Sequence, residues 1–375
     1  MGKIGMNKQK NAFIVSASAA LVLILGLPVY FGAIQERKDS YEAEKMGFLS
    51  GPLKEKMKSD SSILVASVSI VETGSGKTPN SCLLTRGKEG EIREDPYDID
   101  RVPVILAGMM QGPSLTYFLN RNYNKLEEKI STCHGVIPEL REKGNMIGDQ
   151  HILSYEITTG KDSISVREGF LMSSRYVMDR IALNNEQIWR EYIDKFVDYF
   201  GSSDAYYVPR IWDRYLFRKE YASIVDGHGL HLSQGQILTF YDAIANGGVR
   251  PRHRYLRRRT ICSAETARTM SELLRENVLS GTGVLLSSHP VHIAGKTGSG
   301  ILGHGFVPGV LRSAVPDPVA VASFVGFFPV ESPQYTMCVS FYYKSDGCPA
   351  SPAVPVRVFG EIVDKMMEEG KLWKK

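Results

Sequence analysis

The chain has no Cys-x-x-Cys pair. Its five cysteines, Cys82, Cys133, Cys262, Cys338 and Cys348, stand far apart, which excludes a zinc knuckle and a thioredoxin-like redox motif. The odd count leaves at least one thiol unpaired; a Cys338–Cys348 bridge is open in an oxidising compartment and is not required. Charge imbalance is also missing: a net +4 over 375 residues does not announce a nucleic-acid partner. There are no internal repeats and no low-complexity tracts, so solenoid and fibrous architectures drop out. His228 with His231, and His289 with His292, have His-x-x-His spacing but no glutamate between them, so the zincin pattern is absent and no metal is expected. The segment from Glu72 to Thr78 ends like a phosphate-binding loop, yet Val71 stands where its first glycine is required. Pro79 and the strand-like Cys82-Leu83-Leu84 then replace the helix that would hold phosphate, so a hairpin turn is expected and no cofactor is implied.

What is present is ordinary globular composition, 43% apolar and 23% charged, behind one long uncharged run. From Ala12 to Ile34 the chain is rich in Leu, Val, Ile and Ala, long enough to cross a hydrocarbon core as a helix. Lys3, Lys8 and Lys10 precede it without any acid, and Glu36, Arg37, Lys38 and Asp39 follow it as a mixed cluster. The positive-inside rule then puts residues 1–11 in the cytoplasm as a tail, 12–34 in the cytoplasmic membrane as a single-pass anchor, and the rest outside. A cleaved signal peptide is the competing reading, against which stand the length of the run and the lack of a small-x-small site. Residues 35–61, charged and punctuated by Gly, Ser and Pro, read as a tether, 62–368 as one domain, and 369–375 as a C-terminal tail. The run Arg250, Arg252, Arg254, Arg257, Arg258 and Arg259 reads as a solvated loop or strand face, with anionic lipid, acidic glycan or a protein partner as the open alternatives.

Within the domain, Ile63 to Val71 is a β-branched run, broken at Thr73-Gly74-Ser75-Gly76 and resumed near Cys82, which predicts a strand, a turn and a strand. A helical pattern runs from Ser114 to about Ile130, and a mixed helical region continues through Trp189 to Phe200. Ile237, Leu238, Tyr241, Ile244 and Ala245 share a helix face that stops at Asn246-Gly247-Gly248. Met270, Leu273, Leu274 and Val278 mark another, which Ser263 would cap. Val291 to Ala294, Val319 to Phe328 and Tyr335 to Tyr343 read as strands, and Val354 to Met366 as a last amphipathic helix. Helices in the middle with antiparallel strands on either side in sequence define an α+β domain, an antiparallel sheet flanked by helices plus an all-helical region.

The specific signal is Ala294-Gly295-Lys296-Thr297-Gly298-Ser299. Ser280-Gly281-Thr282-Gly283 precedes it and the strand-like Ala322-Ser323-Phe324-Val325-Gly326-Phe327-Phe328-Pro329 follows it. Upstream, between Gly229 and Gly248, a glutamine leads into the amphipathic helix that ends Ala-Asn-Gly-Gly. This arrangement resembles the transpeptidase domain of class B penicillin-binding proteins, the division and elongation type, over residues 60 to 368. The resemblance implies the penicillin-binding-protein/β-lactamase-like fold and a cleft that takes D-Ala-D-Ala stem peptides or β-lactams. There Lys296 and Thr297 would hold a substrate carboxylate, Gly298 would leave room for close approach, and the strand near Ser299 would supply an oxyanion N–H. It also implies membrane-bound division or elongation proteins as partners and peptidoglycan cross-linking as the activity.

Two family motifs are broken. No Ser-x-x-Lys occurs, and the nearest positional match is Ser114 with Tyr117 where the lysine should stand. No Ser-x-Asn occurs either, and Ser173-Ser174-Arg175 puts arginine at the amide position. A tyrosine with an ordinary pKa near 10 is a poor base at neutral pH, while Arg175 suits carboxylate binding better than turnover. The room before residue 62 is also short for the N-terminal pedestal of class B proteins. The expectations are therefore an unusual D,D-transpeptidase working through acyl-Ser114, with weak catalysis, or an inactive relative serving as a membrane-anchored binding or scaffold protein. A β-lactamase or carboxypeptidase is the least favoured reading.

Overall fold

The computed structural model describes residues 48–77, 80–94, 103–105, 108–121, 125–136, 150–194, 225, 227, 231–252, 258–302, 319–344 and 350–372. The chain divides after Phe48 into two compact units, and the sheet and helices belong to the second, Leu49–Lys375. The run from Ala12 to Ile34 lies outside the described residues, among which no helix is long and apolar enough to cross a membrane.

The central strands are β1 (Ile63–Glu72), β2 (Asn80–Arg86), β3 (Ile92–Glu94), β10 (Ala294–Leu302), β11 (Val319–Phe328) and β12 (Tyr335–Lys344). They form a six-stranded antiparallel sheet in the order β10-β11-β12-β1-β2-β3. Three small pairs lie outside it: β4 (Pro103–Ile105) with β7 (His231–Ser233), β5 (Lys129–Ser131) with β6 (Ser163–Ser165), and β8 (Val249–Arg250) with β9 (Arg259–Thr260). The sheet joins both ends of the unit, as the order of helical and strand-like segments predicts. All ten residues of β11 are buried, as expected for an inner strand covered on both faces.

Residues 49–59 form a helix, α1. These residues were expected to be tether, but Leu49, Leu53 and Met57 recur every four positions and are fully buried, so the folded unit begins before residue 62. Arg86 of β2 fastens this segment by donating to the carbonyls of Ile63 at 2.9 Å and Asp60 at 3.2 Å, and to that of Met57. The helical middle comprises α2 (Gln111–Asn120), α3 (Gln150–Thr159), α4 (Val166–Leu171), α5 (Arg175–Asn184) and α6 (Glu186–Asp194). The helix expected to reach Ile130 ends at Asn120, and Lys129–Ser131 pairs as a strand instead. Asn120 spends its side chain on the N–H of Ser263 at 2.8 Å, a long-range contact no local pattern carries. Next come α7 (Gln234–Ala245) and α8 (Ala264–Ser280), both N-capped by serine, and α9 (Ala353–Glu368). Phe359 of α9 meets Phe324 and Phe328 of β11 edge-on, with centroids 4.9 and 5.6 Å away. Cys338 of β12 is a free buried thiol, and Cys348 lies outside the described residues.

The turn after β1 is the expected hairpin feature, with Gly74 and Gly76 at positive φ. Its Gly74 N–H donates to Asp242 of α7 at 3.1 Å, and Thr336 of β12 donates to the same carboxylate oxygen at 3.4 Å. Burial dominates these two bonds and pushes the Asp242 carboxyl from 3.8 up to about 6. The folded chain therefore holds this proton more tightly than the unfolded chain. Its contribution to stability is full below about pH 4 and is lost as pH rises through about 6, by roughly 3 kcal/mol. Asp242→Asn keeps the acceptor oxygen without the charge, so denaturant titrations should show that slope flattened and the variant more stable than the parent at pH 7 by about 1–3 kcal/mol. A variant whose pH slope between 4 and 6 equals that of the parent would contradict the assignment.

Candidate active site

Three backbone segments converge on the outer edge strand of the sheet. The first is the entry to α2, where Gly108 at φ +83° opens a turn. That turn is closed by N–H bonds from Gln111 to the Gly108 carbonyl and from Gly112 to the Met109 carbonyl, each 3.3 Å. The Tyr241 hydroxyl, from α7, donates to the Met109 carbonyl at 2.8 Å and fixes the turn from behind.

The second is the link between α4 and α5. A capping box of Ser165 and Glu168 starts α4, and Ser174 caps α5 by accepting the Val177 N–H at 3.3 Å. Between them Ser173 sits at φ +59°, a left-handed conformation that costs a non-glycine residue about 1–2 kcal/mol. That geometry holds its hydroxyl toward β10.

The third segment is β10 itself. Lys296 is fully buried; its Nζ donates to Ser173 Oγ and lies 5.3 Å from the centre of the Phe170 ring. Thr297 donates to the Thr282 hydroxyl at 2.7 Å, and Thr282 donates to Asn277 Oδ1 at 3.2 Å. Asn277 returns to the strand by donating from Nδ2 to the Gly295 carbonyl at 2.9 Å, and the Thr282 N–H reaches the Leu171 carbonyl at 3.1 Å. The loop after α8 thereby ties the Ser173 segment to the lysine strand. The closest approach is at Gly108: a Cβ there would stand 2.9 Å from the Thr297 carbonyl oxygen, 3.5 Å from Ser173 Oγ and 3.7 Å from Gly298 Cα.

Of the residues picked out by sequence, Lys296, Thr297, Gly298 and Ser173 meet here. Ser299 follows on the same strand, paired with Ala322. Ser114 does not join them through its hydroxyl, which donates to the Val225 carbonyl at 2.9 Å in a fully buried position. It lies six residues beyond Gly108, roughly 9 Å along a helix axis. Tyr117 packs its ring 4.9 Å from that of Tyr192, and burial raises its pKa, the wrong direction for a base. Arg175 forms an ion pair with buried Asp179 at 3.4 Å, one helical turn on. Sequence reasoning missed Gly108, Gln111, Phe170, Asn277 and Thr282. The Ser280-Gly281-Thr282-Gly283 run was visible beside the motif, but its contacts were not.

A buried lysine on the edge strand of an antiparallel sheet, with a serine held against it, marks the site of this α+β domain, and solved structures share the fold. The transpeptidase domain of penicillin-binding protein 3 from Burkholderia pseudomallei superposes with a TM-score of 0.64 at 18% identity, over 88% of this chain and 95% of that one. That of the FtsI4 D,D-transpeptidase from Legionella pneumophila gives 0.58 at 13% identity, over 85% and 95%. A peptidoglycan synthetase from Bifidobacterium adolescentis gives 0.61 at 12% identity, over 86% of this chain and 59% of its own length. No curated protein sequence matches. The family model for the penicillin binding protein transpeptidase domain matches residues 139–363, more than half of the chain, and the chain belongs to that family. The matched span begins after α2 and so leaves out Gly108 and Gln111.

Gly108→Ala tests the closeness of turn and strand. A side chain at φ +83° that also meets a backbone oxygen at 2.9 Å should lower the unfolding free energy by about 1–3 kcal/mol in urea titrations. A loss below about 0.5 kcal/mol would mean that turn and strand separate freely.

Proposed function

We propose that this chain is a penicillin-binding-protein-type transpeptidase domain that has lost its acyl-serine chemistry and works as a membrane-anchored binding or scaffold protein in cell-wall synthesis. The observation that carries the reading is the pair Gly108 and Gln111. The family's first motif opens the central helix with a serine whose proton is taken by a lysine three residues on. At the opening of α2, facing Ser173 and Thr297, this chain has Gly108-Met109-Met110-Gln111. Glycine offers no nucleophile and a neutral amide accepts no proton, so both halves of a unit that acts together are gone. We assign the first motif to these residues in preference to Ser114 and Tyr117.

Lys296 of the third motif meets Ser173, the serine of the broken second motif, and the Thr297 carbonyl faces the Gly108 position. This supports retained binding of a stem-peptide or β-lactam carboxylate along β10, with Thr297 as hydroxyl donor. The uncharged run from Ala12 to Ile34 supports an anchor in the cytoplasmic membrane with the domain outside it, where division or elongation proteins are within lateral reach.

Fluorescent penicillin should leave no covalent label on the purified protein. Stable labelling that Ser173→Ala or Ser114→Ala abolishes would overturn the loss of acyl-serine chemistry. A pentapeptide ending in D-Ala-D-Ala should bind reversibly, about tenfold more weakly after Thr297→Val removes one hydroxyl donor. Saturable binding unaffected by Thr297→Val would remove β10 from the binding role.

A further inference from the structure

We propose that Thr282 sets the affinity of the β10 site for carboxylates by holding the Thr297 hydroxyl proton away from the ligand, a role that rests on the carboxylate reading of β10 given above. A row of polar groups fixes where that proton goes. A backbone carbonyl can only accept, so the Gly295 carbonyl, 2.9 Å from the buried Asn277 amide, must face its Nδ2. Asn277 Oδ1 therefore faces the Thr282 hydroxyl at 3.2 Å and, being an acceptor, takes the Thr282 proton. The Thr282 oxygen is left with lone pairs alone, and Thr297, 2.7 Å away, gives its own proton to it. In every other direction the Thr297 oxygen presents lone pairs.

A carboxylate is a pure acceptor, so it meets lone pairs at Thr297 until that hydroxyl turns outward. Either way of turning it costs the chain a bond. If Thr282 keeps its proton on Asn277, two hydroxyl oxygens face each other at 2.7 Å with no hydrogen between them. If Thr282 turns toward Thr297 instead, the fully buried Asn277 Oδ1 loses that donor. Thr282 is also held in place. Its N–H is tied to the Leu171 carbonyl at 3.1 Å, and the Gly281 and Gly283 N–H groups on either side both reach the Asn277 carbonyl, at 3.0 and 3.1 Å. A Cβ on Gly281 would stand 2.5 Å from the Leu171 carbonyl oxygen, so the loop is packed tight against the end of α4. Thr297 is 3% exposed, with Thr282 half-buried beside it. A ligand group that can donate, such as a carboxamide, needs no reversal, because the Thr297 oxygen is already turned to accept. The chain from Thr297 to Asn277 thus discriminates between acid and amide termini.

The test is calorimetric titration of the full-length protein with a pentapeptide ending in D-Ala-D-Ala, as the free acid and as the carboxamide. Thr282→Val keeps the shape of the side chain and removes the acceptor, which leaves the Thr297 proton free for the ligand. The variant should bind the acid about tenfold more tightly than the parent and the carboxamide no more tightly, so that the acid-to-amide ratio rises about tenfold. The gain should vanish when Thr297→Val is added, because there is then no proton to release. Thr282→Ala removes the same oxygen and should act in the same direction, and thermal unfolding checks that each variant is folded. A folded Thr282→Val that binds the acid no better than the parent, a gain shared equally by the carboxamide, or a gain that persists without the Thr297 hydroxyl would each overturn this role for Thr282 and leave the carboxylate reading standing. Absence of acid binding by the parent and by both Thr282 variants would overturn the carboxylate reading and this role with it.

Discussion

The structure depends on a buried ammonium group. Lys296 has no exposed surface, and leaving water without compensation would cost several kcal/mol. The cost is offset in part by the Ser173 hydroxyl, in the link between α4 and α5, and by the face of Phe170 near the end of α4. That requirement brings the helical middle of the chain against the edge of a sheet whose strands come from its two ends. The Thr297, Thr282, Asn277 and Gly295 bonds tighten the same junction from the side of α8. Lysine at this position thus has a structural task as well as any task toward a ligand.

The proposed loss of acyl-serine chemistry is compatible with a retained fold, since fold and function are separable. The tie between Lys296 and Ser173 does not depend on a nucleophile, so its geometry survives whatever stands at the head of α2. With glycine there, the turn comes so near β10 that a Cβ would meet the Thr297 carbonyl oxygen at 2.9 Å. Tyr241 holds the turn at that approach from the opposite side.

Much of the fold was legible where local preference and burial agree. Val319–Phe328 and Tyr335–Lys344 are strands because β-branched and aromatic runs of that length fit an inner sheet. The helices Gln234–Ala245 and Ala264–Ser280 announced themselves through apolar period, serine caps and a terminal Asn-Gly-Gly. Two stretches misled. Residues 49–59 carry so many charges that they resemble a tether, although every fourth residue is apolar and packs. The pattern after Ser114 continues as helix on paper, but Asn120 is drawn to Ser263 and the chain then pairs as a strand. The site divides in the same way. Lys296 and Thr297 stand in a contiguous motif, and Ser173 follows from its place between two helix starts. A search for a reactive serine led to Ser114, whose hydroxyl is spent on Val225.

By itself the sequence determined the α+β class, the edge strand with its lysine, and the absence of any intact Ser-x-x-Lys or Ser-x-Asn, because each is a matter of residue type and short-range order. Only the tertiary structure decided which residue faces that lysine strand. Gly108 and Gln111 carry no reactive group and so leave no mark in a search for one. Their position became visible once the turn, Ser173 and β10, separated by 65 and more residues of chain, were brought within a few ångströms of one another.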